Sequence, residues 1–356
     1  MLFFLKLLLL KKKVQNSHTF FAYIFYLLLS SGTFYFFSKV SYSFTPIIGI
    51  INLGLYLVFW YLSFHLVNDA YSYYNKIVSL FIIFGLINAM GALVQFFVSP
   101  TIFGLTSNNI YGQEIVNLNI TKRAISFISS PQSLGTFLSI CTILTWIKIT
   151  GTKKWLSLIL LFSSGMLTLS KIYFMTVATF FLINYFSFSK IKQLLGFFGL
   201  SLGFIILFEK FYPNNRVFEL FFLLFDLENS YTFSVWESFL SYDTSVFNKI
   251  FGNGIGVLSR GAQSLGNYLI LNGSAESFIL QIFFEIGFVG LILFLLLYIS
   301  AVRGYNILFS QKKYRNLLLA FLPCMFFTPA FYGLTSMFVL SFFLISPKFL
   351  FVNDYE

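Results

Sequence analysis

Long uncharged apolar runs, separated by short lysine clusters, are the feature that most constrains this chain. Residues 19–37, 46–66, 77–98, 133–149, 194–211, 276–300 and 334–351 are each nearly free of charge. A bilayer core about 30 Å thick needs about 20 apolar residues at a 1.5 Å rise. Only helices and closed barrels satisfy their backbone in lipid. The runs are continuously apolar rather than alternating, so they predict helices. Two shorter segments, about 155–169 and 172–187, predict a tight helical hairpin turning at Leu169-Ser170-Lys171, and a ninth span, about 317–332, is interrupted by Pro323 and Pro329. The fold class expected is all-α: one polytopic integral membrane domain over residues 1–356, with about ten transmembrane helices and a large outer loop before the eighth. Trp60, Trp146 and Trp155 fall near span ends, where interfacial anchors belong.

The 23 basic residues outnumber the 12 acidic ones, giving a net charge of +11. Their placement explains the excess without a nucleic-acid partner. With the N-terminus in the cytoplasm and alternate loops counted, 15 of the 23 fall inside and eight outside. This is the positive-inside asymmetry, and it places both termini in the cytoplasm. The leading Met1–Leu10 stretch is apolar but too short for a span, and its lysines follow rather than precede it, unlike a secretory signal. The two cysteines, Cys141 and Cys324, sit inside expected spans and read as small core residues. With only His18 and His65, a histidine-rich metal site is excluded; the expectation is no metal and no cofactor.

Polar character concentrates on the outer face, in a first loop at 99–132 and a larger one at 212–275. Eight of the 12 acidic residues face outward on the same count. The inner loops are short, lysine-rich and poor in catalytic variety. No Walker-type phosphate loop, nucleophile elbow or zinc-protease helix motif occurs. Any chemistry is therefore expected outside, where ATP is not the direct substrate.

The second outer loop carries Gly252-Asn253-Gly254-Ile255-Gly256. Then come Ala275-Glu276-Ser277-Phe278 and Glu285-Ile286-Gly287-Phe288-Val289-Gly290. Upstream lie Lys122-Arg123-Ala124-Ile125-Ser126-Phe127 with Pro131-Gln132, then Leu167-Thr168-Leu169-Ser170-Lys171 and Trp236. In this order, over residues 121–291, the segments resemble the O-antigen polymerase and ligase superfamily of bacterial envelopes. There a G-x-G element ends the large periplasmic loop, a polar residue opens the next span, and that span continues into E-x-G. Three departures stand out. Lys171 replaces the usual Arg of the turn. Ser230–Val235 lack a base before Trp236. Glu276 stands where ligases commonly present a His, which favours the polymerase branch.

The resemblance implies a membrane glycosyltransferase that joins oligosaccharide repeats carried on undecaprenyl diphosphate at the outer face of the cytoplasmic (inner) membrane. The implied partners are that lipid-linked oligosaccharide, membrane lipids and a chain-length regulator. Such a site needs cations to hold the diphosphate and a group that accepts the proton of the attacking hydroxyl. The motif matches assign diphosphate contacts to Arg123 and Lys171, which lie next to span ends. Arg216 and Arg260 bracket the large loop and are candidates for the same role. For each, the alternative is an interfacial cation that binds bulk lipid phosphate, and this is the preferred reading for Lys39, Lys210 and Lys249. Glu276 is the candidate catalytic base. It equally fits an acid favoured by a helix N-terminus with Ser274 as cap. Glu285, deeper in the same span, is expected to pair with a polar group of a neighbouring helix.

Two other functions compete: an O-antigen ligase, and a lipid-linked oligosaccharide flippase or transporter. A flippase would carry charge inside a central cavity, and a transporter would more often show paired broken helices and internal repeats. The sequence shows neither.

Overall fold

The computed structural model describes residues 18–37, 45–98, 124–128, 130–168, 170–185, 236–237, 245–258, 277–308, 312–328, 331 and 334–350. Every regular element among them is helical. Helix α1 (His18–Phe37) is followed by α2 (Thr45–Ile50), which runs through a π-helical stretch (Ile51–Leu55) into α3 (Tyr56–Leu66). Next come α4 (Ala70–Phe97), α5 (Pro131–Lys148), α6 (Gly151–Leu167) and α7 (Lys171–Tyr185). A short α8 (Val246–Phe251) precedes α9 (Phe278–Ile307), α10 (Lys312–Phe327), α11 (Leu334–Ile345) and α12 (Pro347–Leu350). The expected seventh span, 194–211, lies outside the described residues, as do Met1–Leu10 and most of both outer loops.

Among the described residues two helices, α4 and α9, are long and apolar enough to cross a membrane by length and composition. Helix α4 exposes Leu80, Ile83, Phe84, Ile87, Met90 and Val94, spaced as one helical face. Helix α9 exposes Phe288, Ile292, Leu296 and Ile299 in the same way. The interior is mainly apolar but also takes hydroxyls. Helix α5 is buried from Leu134 to Thr145 and brings Thr136, Ser139, Thr142 and Thr145 with it. Thr136, Ser139 and Thr142 donate to carbonyls three or four residues back, so they enter an apolar interior without an unmet donor.

The helices pack around α5, which lies against α4, α6, α7 and α11. Helix α10 joins α7 to α9, and α9 also packs on α1. Side-chain contacts sort the helix ends into two groups. At one end, the Lys148 ammonium donates to Ser79 Oγ at 2.8 Å and to the Asn75 carbonyl, tying the end of α5 to the start of α4. There too Tyr305 Oη and Ser346 Oγ are 2.6 Å apart, Tyr314 meets Tyr74 edge-on, and Asn316 donates to Asn184 at 2.8 Å. At the other end, Gln95 near the end of α4 meets residues 125–126, and Phe278 N–H donates to the Thr328 carbonyl. Consecutive long helices therefore run up and down. Lys76, Lys148, Lys153, Lys154, Arg303, Lys313, Arg315 and Lys348 belong to the first end, and Lys171 to the second.

Two expectations are corrected. Trp60 is no interfacial anchor: it is 3% exposed, packs among Phe59, Phe64, Phe81, Phe338 and Phe342, and donates to the Phe338 carbonyl at 2.8 Å. Trp155 is exposed, and the Lys154 ammonium lies 3.7 Å over the Trp146 ring. Pro323 does not interrupt α10, which continues to Phe327; it only removes the N–H that would bond the Leu319 carbonyl. Helix α9, by contrast, is broken where no proline marks it. Gly287 has φ 69° and ψ −174°, outside helical space.

Candidate functional site

The segments that carry the family resemblance pack against one another at the end away from the lysine clusters. In the first pair, the Ala124 N–H donates to the Leu167 carbonyl at 3.0 Å, joining the end of the first outer loop to the α6–α7 turn. Gln95 Oε1 accepts from Ile125 N and Ser126 N, at 2.9 and 2.8 Å, which fixes the loop as it enters α5. Ser126 there has φ 49°, a left-handed conformation costly for a side-chain-bearing residue. Ser130 caps α5 through Ser133 N–H, with Pro131 at the first helical position, a pairing that fits both residues' preferences. The turn sits directly on α5: a Cβ added to Gly135 would lie 2.6 Å from Ser170 Cβ. Arg123 itself is outside the described residues, but its neighbour Ala124 is held four positions from Lys171 in the chain it contacts.

The second pair is the Gly-Asn-Gly-Ile-Gly loop and the break in α9. Glu285 is fully buried, and both of its carboxylate oxygens are engaged. Oε2 accepts from Gly256 N at 2.9 Å and Oε1 from Leu258 N at 3.0 Å. The loop returns the contact through Asn253 N to the Phe284 carbonyl at 2.9 Å and Gly254 N to the Glu285 carbonyl at 3.0 Å. Tyr26 of α1 donates towards the carbonyls of Ile286 (2.8 Å) and Phe251 (3.1 Å), clamping both sides. The glycines are required by approach and by angle. Gly252 has φ 93°, and a Cβ there would fall 2.2 Å from the Glu285 carbonyl oxygen. Glu285 thus bonds backbone amides of the outer loop, rather than the polar group of a neighbouring helix expected from sequence.

Helix α10 joins the two pairs. Ile172, which follows Lys171, offers its carbonyl to Cys324 Sγ at 3.9 Å. Ser277, which follows Glu276, donates through Oγ to the Met325 carbonyl at 3.4 Å. The neighbours of Lys171 and Glu276 thus meet adjacent residues of one helix. Trp236 stacks on Phe327 at 5.6 Å, which brings the loop tryptophan to the same corner. Glu276, Arg216 and Arg260 lie outside the described residues; Leu258, two positions before Arg260, is held by Glu285.

One alternative for Glu276 changes. The cap of α9 is Ser277, whose Oγ accepts from Leu280 N, and not Ser274. Glu276 therefore precedes the cap, outside the first turn where the helix dipole rewards an acid most. Among the described residues no group of histidine, cysteine and carboxylate side chains is arranged to hold a metal ion. Cys141 and Cys324 are buried free thiols. Sequence reasoning missed Gln95 and Tyr26, although a glutamine deep in an apolar run is a readable signal.

No protein-family model matches the chain, and no curated protein matches it.

Proposed function

We propose that the chain is a multi-pass protein of the cytoplasmic membrane, with about ten spans and both termini inside, that polymerises undecaprenyl-diphosphate-linked oligosaccharide repeats at the outer face. The observation that carries this reading is the meeting of Ile172 and Ser277 on adjacent residues Cys324 and Met325. It draws the turn with Lys171 and the helix start with Glu276 to one corner, as a two-substrate transfer needs. The outward apolar faces of α1, α4 and α9, and the lysines gathered at the opposite end, support the membrane placement.

In the proposed reaction an acceptor sugar hydroxyl bonds to the anomeric carbon of the donor chain. The bond from that carbon to the phosphate oxygen breaks, and undecaprenyl diphosphate leaves with the bonding pair. Arg123 and Lys171 hold the diphosphate as its charge grows, with Arg216 and Arg260 closing from the loop. Glu276 takes the hydroxyl proton. No nucleotide is needed, because the glycosyl–phosphate bond already stores the energy.

Removing the gene and restoring it with Glu276→Gln tests the assignment. Gln keeps the shape but cannot accept the proton. Single repeats should accumulate, and the chain-length ladder seen on a gel should collapse at matched protein level. Glu276→Asp should retain part of the ladder. An intact ladder with Gln rejects the base. An intact ladder without the gene rejects the polymerase, and loss of all surface attachment with normal polymer favours the ligase.

Topology is checked separately. Cysteines at Asn229 and Ser264 should react with an impermeant maleimide in cells whose outer barrier is opened, while those at Lys153 and Lys313 should not. Reaction of the latter pair would overturn the topology.

A further inference from the structure

Helix α8 lies inside the large outer loop, yet its surface is unlike that of a loop in water. Val246, Phe247, Ile250 and Phe251 are 72%, 61%, 39% and 43% exposed. They fall at i, i+1, i+4 and i+5, one face of the helix. Phe247 and Phe251 pack together at 4.8 Å on that face without covering it. An exposed cluster of this kind on an ordered helix marks a surface that something covers.

The helix is also fixed in place. Ser245 caps it through Asn248 N–H, and Gly252 ends it at φ 93°. Its last turn is pressed onto the break in α9, where a Cβ on Gly287 would lie 2.3 Å from the Ile250 carbonyl oxygen and 2.4 Å from Gly252 N. Tyr26 ties Phe251 to α1. The two helices that hold α8 carry outward apolar residues next in sequence to those contacts, Phe25 before Tyr26 on α1 and Phe288 after Gly287 on α9. The apolar face of α8 therefore continues surfaces already read as lipid-facing. Its depth agrees. Gly287 and Arg303 are about 24 Å apart along α9 at 1.5 Å per residue, against about 30 Å for a hydrocarbon core. With Arg303 at the basic end, α8 falls near the opposite boundary.

We infer that α8 is an interfacial helix seated in the outer leaflet, its Val246–Phe251 face among acyl chains and Lys249 at headgroup depth. The inference rests on the multi-pass membrane reading and adds that this part of the outer loop returns to the bilayer. Lys249 is exposed on the same helix and suits a phosphate-rich layer. The consequence is that the Glu285-bound loop that follows α8 is then held at the membrane boundary.

The test places single cysteines at Phe247 and, as a reference on α9, at Phe288. The background carries Cys141→Ala and Cys324→Ala; if it fails to fold, the wild-type background serves, because both native thiols are buried. The variants are labelled with a polarity-sensitive dye and reconstituted into phosphatidylcholine–phosphatidylglycerol vesicles. Nitroxide-bearing lipid and aqueous iodide are the quenchers. At both positions, lipid should quench several-fold more strongly than iodide. Iodide quenching at 247 with lipid quenching at 288 overturns the inference and leaves the membrane reading standing. Protection of 247 from both quenchers, with disulfide-linked dimers through that position, shows a second copy covering the face and overturns it equally. Iodide quenching at both positions sinks the membrane reading itself.

Discussion

Gly287→Ala and Gly252→Ala should each remove most of the folded protein, measured as the monodisperse peak in detergent and its midpoint of thermal loss. Two costs add at each site. A side-chain-bearing residue at φ 69° or 93° pays about 1–3 kcal/mol of backbone strain. The added methyl also strikes backbone: the Ile250 carbonyl for position 287, the Glu285 carbonyl for 252. Backbone held by hydrogen bonds on both sides cannot swing away as a side-chain tip can, so a further 1–3 kcal/mol or so of overpacking follows. Gly151→Ala is the control. Its φ is 71°, but nothing lies within 4 Å of the added methyl, so it carries only the strain. Glu285→Gln should fall between. Both Glu285 oxygens accept from N–H groups, and an amide must turn its NH2 towards one of those donors, losing a buried bond worth about 1.5–3 kcal/mol. If Gly287→Ala behaves like Gly151→Ala, the packed loop at the α9 break is not the arrangement the protein adopts.

Much of this architecture was legible in the sequence because lipid and water impose simple demands. Helices occupy the apolar runs wherever residues are described, and most of the described lysines gather at one end of the bundle. What could not be read was inside the bundle. Trp60 near a run's end looks the same in sequence whether it faces headgroups or five phenylalanine rings. The break falls at Gly287 and not at Pro323: a proline inside a helix costs one hydrogen bond that neighbours can tolerate, whereas a glycine in an apolar run gives no hint that its φ is positive. The partners of Glu285 and Gln95 are backbone amides, and a backbone amide leaves no mark in a sequence. The cap of α9 shows the limit of local rules, since Ser274 and Ser277 were both available and tertiary contact with Met325 favours the second. The motif order along the chain did not say which segments meet, nor that α10 would be the surface on which they do.

Arg123→Ala and Lys171→Ala should each lower polymer formation by about 30- to 1000-fold while the protein still inserts and accumulates. That range corresponds to about 2–4 kcal/mol of lost transition-state stabilisation at a diphosphate. The placement of Lys171 is what makes it informative. It is the first residue of α7, where the helix dipole disfavours a cation by a few tenths of a kcal/mol to about 1 kcal/mol. In the proposed site a diphosphate offsets that cost, since it is attracted by the ammonium and by the helix N-terminus together. Ala124, next to Arg123 in the sequence, is bonded to Leu167. Lys171→Arg should keep the ladder, because a guanidinium meets phosphate at least as well as an ammonium, whereas Lys171→Glu should abolish it. Lys171→Ala should leave the thermal midpoint nearly unchanged, which separates a lost contact to substrate from a lost fold. Normal ladders in both alanine variants, at matched protein level, would remove these residues from the site and leave them as cations that only meet bulk lipid phosphate.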